Sequence, residues 1–493
     1  MMSKVLLGVD IGTSGCKVAL FRPDGEVIAQ ATGEYTVDYP HPGWAQQHPD
    51  MWWEAACACI RQVIRDSGVD PAQIAGVGVD GQSWSAIAVD EAGRVLTPTP
   101  IWTDTRAGEI CARLKEQIPE EELFACCGNP LQPSYTLPKI LWYKENLPEV
   151  YARARWILQS NSYFVFRMTT KASQDLSQGY GLSCFDMPTR RWNMEMARRI
   201  GIREELLPPL YDCHQVVGAL TAEAAAQTGL MEGTPVVAGG LDAACGTLGA
   251  GVVRPGQTQE QGGQAGGMSI AMDAYAADPR LILGCHVVPG LWLLQGGTTG
   301  GGGALKWLRE TCCPDLSFAQ MSELAETVAP GSDGVIFLPY MAGERSPIWN
   351  PQARGVFFGL DYSKGRAHMI RAVMEGVAYS LRHNLETAGA AGAQVGTLRA
   401  MGGSANSRVW TQLKADITGH AIEVPASDTA TTLGAAILAG IGTGVYASFE
   451  EAAERTVQVQ RTYQHDETHK TVYDAGYARY LELYQRLEPM MKG

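Results

Sequence analysis

The same local pattern, a short apolar strand followed by a glycine-rich turn and a second strand, occurs twice in this chain of 493 residues. The first copy runs from residues 5–9 through a turn at 12–15 to residues 17–21, and the second lies around the turn at 262–267. A repeated strand–turn–strand unit indicates a duplicated α/β fold whose two halves each open on a hairpin. Ligands of such folds usually bind at the turns that end the strands, so we expect a cleft between the two halves.

The pattern of apolar residues predicts further elements in both halves. In the first half we expect strands at 27–31, 74–79 and 236–238 and a helix over 51–65, which begins after Pro49. In the second half we expect strands at 284–288, 291–294 and 398–401, and helices at 303–310, 368–388, 407–418, 432–439 and 470–491. Pro255 and Gly256 mark a boundary, which gives two predicted domains, 1–252 and 253–493.

Composition excludes several classes of function. The net charge is −13, and an acidic chain repels phosphate backbones, so we expect no nucleic-acid partner. The most apolar long stretch, residues 236–253, contains Asp242 and many Gly and Ala residues, which argues against a membrane span. The 12 cysteines include no C-x-x-C pair, which predicts reduced thiols in a cytoplasmic protein without a zinc site. The N-terminus lacks the pattern of a signal peptide.

The first glycine-rich turn follows Asp10 and contains Gly12, Thr13 and Ser14. Successive backbone N–H groups in such a turn form a concavity that binds anions, and the two hydroxyl groups add donors. The carboxylate of Asp10 is of the type that holds Mg²⁺ directly or through water. An ordinary hairpin turn without a ligand is the alternative, and the residues alone leave both open.

A second candidate is Asp242, which follows Gly239 and Gly240 at the end of a predicted strand. Glycines allow close approach of a substrate, and a carboxylate at a strand end can accept a hydroxyl proton. The alternative is that Asp242 only caps a helix over 243–248. A third candidate is the turn from Gly402 to Ser407, which suits a nucleotide lying on the backbone, or else is only a tight connection.

Several common motifs do not apply to this chain. Gly76, Gly78 and Gly81 have the spacing of a dinucleotide fingerprint, but residues 85–90 read as a strand where that motif needs a helix. The sequence contains no G-x-x-x-x-G-K-[ST], H-E-x-x-H or G-x-S-x-G. Among the 12 tryptophans, Trp84 and Trp102 follow strand patterns and are the candidates for the aromatic wall of a binding pocket, as a sugar would favour.

Taken together, these residues resemble the FGGY family of carbohydrate kinases over nearly the whole chain. The strongest match is GVFFGL at 355–360, followed after seven residues by HMIRAVMEG at 368–376. SYTLPKILW at 134–142 is similar to the N-terminal signature of the family, and FLPYMAGERSP at 337–347 to a stretch typical of its xylulokinase branch. GWAQQHP at 43–49 and WTDTR at 102–106 also fit.

The resemblance implies an actin-like, ribonuclease H-like ATPase fold of two domains with a central cleft. Residues 1–252 would bind the sugar, and residues 253–493, with a C-terminal helical tail, would bind the nucleotide. ATP and Mg²⁺ would be the ligands, with Asp10 and Asp242 at the metal and Asp242 as the catalytic base. The implied ATP-binding residues are Gly12, Thr13, Ser14, Gly263, Gly302, Gly402, Gly403, Asn406 and Ser407. The implied substrate-binding residues are Gln82, Ser83, Trp84, Trp102 and Asp242.

The implied reaction is ATP-dependent phosphorylation of a ketose, foremost D-xylulose to D-xylulose 5-phosphate, in an enzyme that also forms homodimers. Alternatives are a kinase for another pentulose or a polyol (ribulose, glycerol, erythritol), or an actin-like ATPase module without a sugar site. Three places differ from the xylulokinase pattern. Gln82-Ser83-Trp84-Ser85 replaces Gln-Met-His-Gly, Ala243 replaces Asn after Asp242, and Gln264-Ala265 replaces Thr-Ser. The first two affect contacts to sugar hydroxyls, and the third affects the nucleotide turn.

Overall fold

The computed structural model describes residues 4–426 and 429–491, which fold into two compact units. Unit 1 contains Met1–Val253, Leu283–Leu293 and Thr429–Val457. Unit 2 contains Arg254–Ile282, Leu294–Asp428 and Gln458–Gly493. The assignment of sugar binding to residues 1–252 and nucleotide binding to 253–493 stays a prediction. No helix in the described ranges is long and apolar enough to cross a membrane.

The strands, numbered along the described chain, are β1 (Val5–Ile11), β2 (Gly15–Phe21), β3 (Val27–Glu34), β4 (Gln46–Gln47), β5 (Ile74–Gly81), β6 (Ile87–Val89), β7 (Thr99–Pro100), β8 (Trp156–Leu158), β9 (Gln174–Asp175), β10 (Phe185–Asp186), β11 (Arg191–Trp192), β12 (Leu210–Tyr211), β13 (Val216–Ala219), β14 (Pro235–Val237), β15 (Gly240–Leu241), β16 (Thr258–Gly262), β17 (Gly266–Met272), β18 (Ile282–Cys285), β19 (Trp292–Thr298), β20 (Ile336–Leu338), β21 (Val356–Phe358), β22 (Leu398–Met401), β23 (Ile422–Pro425) and β24 (Val459–Tyr463).

The α-helices are α1 (Pro49–Ser67), α2 (Gly108–Gln117), α3 (Glu120–Cys127), α4 (Thr136–Asn146), α5 (Pro148–Arg153), α6 (Ser160–Thr169), α7 (Met194–Ile200), α8 (Ala222–Thr228), α9 (Asp242–Gly249), α10 (Gly302–Cys312), α11 (Phe318–Glu326), α12 (Arg366–Ala390), α13 (Arg408–Thr418), α14 (Ala430–Gly442), α15 (Phe449–Thr456) and α16 (Lys470–Met491).

The first sheet has the strand order β13-β14-β5-β1-β2-β3, and β15 also pairs with β5. Strands β1, β2 and β3 form an antiparallel meander, while β5 runs parallel to β1 and β15 runs parallel to β5. Val5, Leu7 and Val9 on one side of β1 are buried in a core that also contains Trp52 and Ile60 of α1. Nearly every residue of β1 is buried, so both faces of the strand are covered, which explains why the short apolar run at the N-terminus becomes a central strand.

The second sheet repeats this plan, as the sequence predicted. Its order is β18-β19-β17-β16-β22-β23-β24, in which β16 pairs antiparallel with β17 and parallel with β22. Strand β23 is parallel to β22 and antiparallel to β24, just as β14 is parallel to β5 and antiparallel to β13. The turns at residues 12–14 and 263–265 therefore join equivalent strands of two equivalent sheets.

Helix α14 packs on the first sheet with its backbone in direct contact with the strands. A Cβ atom on Gly8 of β1 would overlap the carbonyl group of Thr432, and one on Gly78 of β5 would overlap that of Ala435. Gly434 makes the same close approach to the carbonyl of Cys245 in α9. Glycine is required at these three positions because any side chain would displace the helix. This packing fixes the N-terminal end of α14 beside the end of β1.

Unit 2 has its own hydrophobic core around α12, the longest helix of the described chain. The aromatic residues Tyr473, Tyr477 and Tyr480 of α16 pack into this core, together with Trp410 of α13. The predicted helix over 470–491 and the predicted strand at 398–401 have the bounds observed for α16 and β22. The strand predicted at 284–288 ends earlier, at Cys285, ahead of the turn around Gly290, whose φ is +84°.

Candidate active site

Three carboxylates of unit 1 come together because three parallel strands end at the same edge of the sheet. Asp10 in β1 lies opposite Asp80 in β5, and Asp80 lies opposite Gly240 in β15. Asp242 follows one residue after β15 and is the first residue of α9. Carboxyl ends of parallel strands converge at one edge, so residues 10, 80 and 242 are neighbours although they are far apart along the chain.

Asp242 is partly accessible to solvent and lies at the start of a helix. Its Oδ1 accepts a hydrogen bond from the backbone N–H of Ala243 at 2.7 Å, while the N-cap position is occupied by Leu241. Burial, and then the negative charge of Asp10, raise the pKa of the Asp242 carboxyl to about 7. A carboxyl group whose pKa is close to neutral can both take up and release a proton at physiological pH, which suits a general base.

Asp80 is a residue that the sequence reasoning missed. It is fully buried, and among the described residues neither of its carboxyl oxygens has a hydrogen-bond partner. Burial, followed by the charges of Asp10 and Asp242, raises the pKa of Asp80 well above its usual range. The signal was present in the sequence, since Asp80 ends a predicted strand in the way that Asp10 does, but only the parallel register places the two side by side.

Asp10 is held from the other side by α14. The hydroxyl of Thr431 donates a hydrogen bond to Asp10 Oδ2 at 3.0 Å. Burial raises the pKa of Asp10, while the hydrogen bond from Thr431 and the charge of Lys17 oppose this shift. In the described ranges no group of three or more His, Cys, Asp or Glu residues is arranged to hold a metal ion directly. Asp10 and Asp242 offer carboxylate oxygens, the type of ligand that Mg²⁺ prefers, and this ion usually keeps several of its waters when bound to a protein.

The first glycine-rich turn is tied to the predicted sugar-binding residues. Trp102 donates its indole N–H to the hydroxyl of Thr13 at 2.8 Å, and that hydroxyl lies 3.4 Å from Oε1 of Gln82. The backbone N–H groups of Thr13 and Ser14 bond to no acceptor among the described residues. Gly12 leaves no room for a side chain, because a Cβ would lie 2.9 Å from the carbonyl oxygen of Gly15. The turn thus keeps two backbone donors available while its threonine hydroxyl orients Trp102.

The predicted sugar loop, Gln82-Ser83-Trp84-Ser85, has an unusual backbone conformation. Trp84 has φ of +56°, a left-handed value that costs an L-residue on the order of 1–3 kcal/mol and often occurs at functional sites. Its ring packs against Tyr135 and Tyr180 at centroid distances of 4.6 Å and 5.8 Å. Ser83 is half-buried and Gln82 is buried. The aromatic cluster stabilises the strained tryptophan as one rigid wall.

Lys139, in the SYTLPKILW segment at 134–142, links the backbone at Trp84 to the backbone just before Trp102. Its ammonium group is fully buried and donates to the carbonyl oxygens of Trp84 at 2.9 Å and Ile101 at 2.8 Å. Burial lowers the pKa of Lys139 to about 7. Because Ile101 directly precedes Trp102, one side chain fixes both predicted walls of the sugar pocket.

In unit 2, the second glycine-rich turn and the turn after β22 line one cavity of about 570 Å³. The predicted nucleotide residues Gly263, Gly302, Gly403, Asn406 and Ser407 all lie on its wall. Gly402 has φ of +86°, and a Cβ there would lie 2.9 Å from the carbonyl oxygen of Gly262, so glycine brings the two turns together. Gly262, Gln264 and Ser404, which lie in the two turns that the sequence analysis singled out, are also on the wall, and the residues that the sequence reasoning did not name are Leu305, Lys306, Phe318, Ala319, Ser322 and Trp410.

A buried ion pair lies next to this cavity. Lys414 of α13 donates to Glu260 Oε1 of β16 at 2.6 Å and to the hydroxyl of Ser404 at 2.7 Å. The exposed fractions of the Lys414 and Glu260 side chains are 2% and 4%. A Cβ on Gly262 would collide with Ser404, so the pair fixes the spacing of the two turns that line the cavity.

Comparison with known proteins decides the family. The N-terminal domain model of the FGGY family of carbohydrate kinases matches residues 5–249, and the C-terminal domain model matches residues 279–443. The chain belongs to the FGGY family of carbohydrate kinases. It is 31% identical to a xylulose kinase of Bacillus subtilis (96% of this chain, 95% of that protein) and 32% identical to one of Escherichia coli (98% and 99%).

The fold agrees with this membership. The crystal structure of a xylulose kinase from Rhodospirillum rubrum superposes with a TM-score of 0.93 at 31% identity, covering 99% of this chain and 100% of that one. The predicted duplicated actin-like fold and the predicted carbohydrate kinase activity are thereby confirmed. The alternative of an ATPase module without a sugar site does not fit a family of carbohydrate kinases. The roles of individual residues remain proposals.

Proposed function

We propose that this kinase transfers the γ-phosphoryl group of ATP to a hydroxyl of D-xylulose, giving D-xylulose 5-phosphate and ADP. The support for this acceptor is the similarity to proteins named xylulose kinase over nearly the whole chain. The support for the chemistry is Asp242, a half-buried carboxyl group at the convergent ends of parallel strands, whose pKa burial raises to about 7. Of all the observations, this carboxyl group carries the proposal.

In the proposed reaction the hydroxyl oxygen of the sugar attacks the γ-phosphorus in line, and the bond from that phosphorus to the ADP oxygen breaks. Asp242 takes the hydroxyl proton as the new bond forms, a contribution on the order of 10² to 10⁴ in rate. The backbone N–H groups of Thr13 and Ser14 are the donors proposed for the transferring group. Trp102 and Trp84, both fixed through Lys139, would orient the sugar.

The residues at the strand ends fit Mg²⁺. Asp10 and Asp242 offer carboxylate oxygens, which this ion prefers, and the two oxygens of Asp80 that lack partners are a further acceptor nearby. Bound there, Mg²⁺ would neutralise charge on the phosphates. In the cavity of unit 2, Gly263, Gly302, Gly403, Asn406 and Ser407 are proposed to hold the nucleoside, with Gly402 setting the wall behind them. The cytoplasmic location and the homodimer stay predictions.

One observation favours a different acceptor within the same chemistry. Trp84, packed on Tyr135 and Tyr180, stands where xylulokinases carry histidine, and Ala243 stands where they carry asparagine. Both changes remove polar groups that could contact sugar hydroxyls. A pentulose of other stereochemistry, such as a ribulose, or a polyol, such as glycerol or erythritol, is therefore the second candidate.

A coupled assay of ADP release with D-xylulose, D- and L-ribulose, glycerol and erythritol tests the acceptor. The variant Asp242→Asn tests the mechanism: we expect turnover to fall by roughly 10³ on the general-base scale, while binding of ADP is retained. The wild-type rate should also decline below about pH 7, where Asp242 becomes protonated. Asp66→Asn, an exposed carboxylate of unit 1, is the matched control and should keep full activity. Near-normal turnover in Asp242→Asn would refute the assignment of the base.

A further inference from the structure

Arg345 carries a positive charge that has no partner in the described protein. The residue is exposed to solvent, and neither a hydrogen bond nor an ion pair connects its guanidinium group to a described residue, whereas Arg371, Arg399 and Lys414 of the same unit are ion-paired. The charge of the adjacent Glu344 acts on this cation, but the hydrogen bonds of the Glu344 oxygens come from other groups. These oxygens accept from the hydroxyl of Thr298 at 2.5 Å, from the N–H of Thr299 at 2.9 Å and from the backbone N–H of Arg345 itself at 2.7 Å.

The guanidinium group rests against a glycine of β19. A Cβ on Gly297 would lie 2.9 Å from Nη2 of Arg345 and 3.1 Å from its Cζ, so any larger residue at 297 would push the group away. Glu344, the residue before Arg345, accepts hydrogen bonds from Thr298 and Thr299. These bonds hold the loop of residues 341–350 against the end of β19. The position of the cation is therefore built by the fold.

This position is beside the second glycine-rich turn. Gly267, at the start of β17, approaches Gly296 and Gly297 closely: a Cβ on Gly267 would lie 2.9 Å from the carbonyl oxygen of Gly296 and 3.7 Å from Cα of Gly297. The loop after β19 is also bonded to the turn, through Gly302 N–H to the carbonyl of Gly263 at 2.8 Å. A cation at Gly297 thus lies one strand away from the turn that lines the proposed nucleotide cavity.

The turn itself offers few strong donors to an anion. The hydroxyl residues common at this place in the family are replaced by Gln264 and Ala265, which leaves backbone N–H groups and one amide. An arginine supplies strong charged donors, because its planar guanidinium group binds phosphate oxygens through two parallel hydrogen bonds. In a chain of net charge −13, a cation without a protein partner at this place is matched to an anionic ligand.

We propose that Arg345 is a binding residue for the phosphoryl groups of the nucleotide. The inference rests on the proposed nucleotide site and adds to it the residue that recognises the phosphate chain. Its chemistry would also suit the phosphate of a phosphorylated sugar, so the experiment separates the two sources.

The test measures the dissociation constants of adenosine, ADP and D-xylulose 5-phosphate by calorimetry for the full-length protein and its variants. In Arg345→Met we expect ADP to bind on the order of tenfold to a hundredfold more weakly, as for the loss of a charged hydrogen bond, with adenosine unchanged. The affinity of Arg345→Lys for ADP should lie between those of wild type and Arg345→Met. Lysine keeps the positive charge but cannot donate two parallel hydrogen bonds. Arg486→Met, which removes an equal charge from the exposed side of α16, is the control and should bind all three ligands like wild type.

Several outcomes would overturn the proposal. Unchanged ADP binding in Arg345→Met would do so, as would an equal loss for adenosine and ADP, which indicates a structural role. A loss for the sugar phosphate alone would assign Arg345 to the product. A loss of ADP binding in Lys306→Met but not in Arg345→Met would give the role to the cation on the cavity wall. If wild type itself binds neither adenosine nor ADP in unit 2, both the proposed nucleotide site and the proposed role of Arg345 are wrong. Every other result tests the role of Arg345 alone.

Discussion

At the scale of single residues, the chemistry of this kinase is governed by the free-energy cost of keeping a buried carboxylate ionised. Burial drives the pKa of Asp10, Asp80 and Asp242 upward, and the charge of Asp10 raises the pKa of the other two further. In a stable core such groups would be replaced by apolar residues. Their presence at the convergent ends of three strands is explained by a function that needs a carboxyl group close to its titration point.

This cost predicts that Asp242→Asn stabilises the fold while it removes activity. Burial raises the pKa of Asp242 from 3.8 to about 7, so the folded chain holds a proton that the unfolded chain releases. The resulting penalty is absent below about pH 4, grows as the pH rises toward 7, and is fully present above 7. At pH 8 we expect the melting temperature of Asp242→Asn to exceed that of wild type by several degrees, on the scale of a few kcal/mol.

The measurement is thermal unfolding of both proteins, free of nucleotide and metal, at pH 8 and at pH 5. The gain should shrink at pH 5, where Asp242 of the wild type is protonated. A variant that is less stable than wild type at pH 8 would show that the carboxylate is stabilised by contacts that outweigh its burial.

At the scale of elements, both candidate sites depend on two features. Glycines allow close contact between backbone segments, and buried polar side chains hold those segments in place. Gly402 brings two turns of unit 2 together, and the ion pair of Lys414 with Glu260 holds the elements that carry them. In unit 1, Lys139 holds the segments of Trp84 and Trp102 together through its hydrogen bonds to the carbonyl oxygens of Trp84 and Ile101. These are links between elements that are remote in the sequence.

The ion pair predicts a pattern in unfolding experiments. Lys414→Met leaves the charge of Glu260 buried without its partner, which should cost about 3–5 kcal/mol and weaken nucleotide binding through the displaced Ser404. The double variant Lys414→Met with Glu260→Leu should recover most of the stability, because an apolar pair avoids the buried charge.

Denaturant unfolding, with the Michaelis constants for ATP and for the acceptor measured in parallel, checks this prediction. Lys470→Met removes the lysine of an exposed pair with Asp474 in the same unit and should change stability by less than about 1 kcal/mol. If the single and double variants lose the same stability, the buried charge is not what Lys414 compensates.

At the scale of the whole molecule, the two compact units are not two consecutive pieces of chain. Residues 429–457 belong to the same unit as residues 1–253, and α14 supplies both the backbone packing on β1 and β5 and the hydroxyl that holds Asp10. Unit 1 is therefore complete only after most of the chain has been made.

We accordingly predict that residues 4–253 do not fold alone. Without α14, the faces of Gly8 and Gly78 and the side of α9 around Cys245 lose their packing partner. A fragment that joins residues 429–457 to the end of 4–253 through a Gly/Ser linker should regain protease resistance and a cooperative melting transition. Cooperative melting of the shorter fragment would show that the helix is dispensable for this unit.

The sequence alone determined many of the elements and the kind of enzyme. Hydrophobic periodicity and glycine-rich turns gave β22 and α16 with their observed ends, the repeated plan of the two sheets, and the family resemblance that the comparisons confirmed. These features depend on residues close together in the chain, where spacing reports directly on local structure.

Only the tertiary structure decided which residues meet. The pairing of Asp80 with Asp10, the bond from Trp102 to Thr13, the packing of α14 on Gly78 and the unpartnered Arg345 all depend on strand register and on contacts across tens to hundreds of residues. The glycines at 76, 78 and 81 show the difference: their spacing resembled a dinucleotide motif, while in the fold Gly78 gives room to a helix carbonyl. Such contacts are set by long-range packing, which no local pattern encodes.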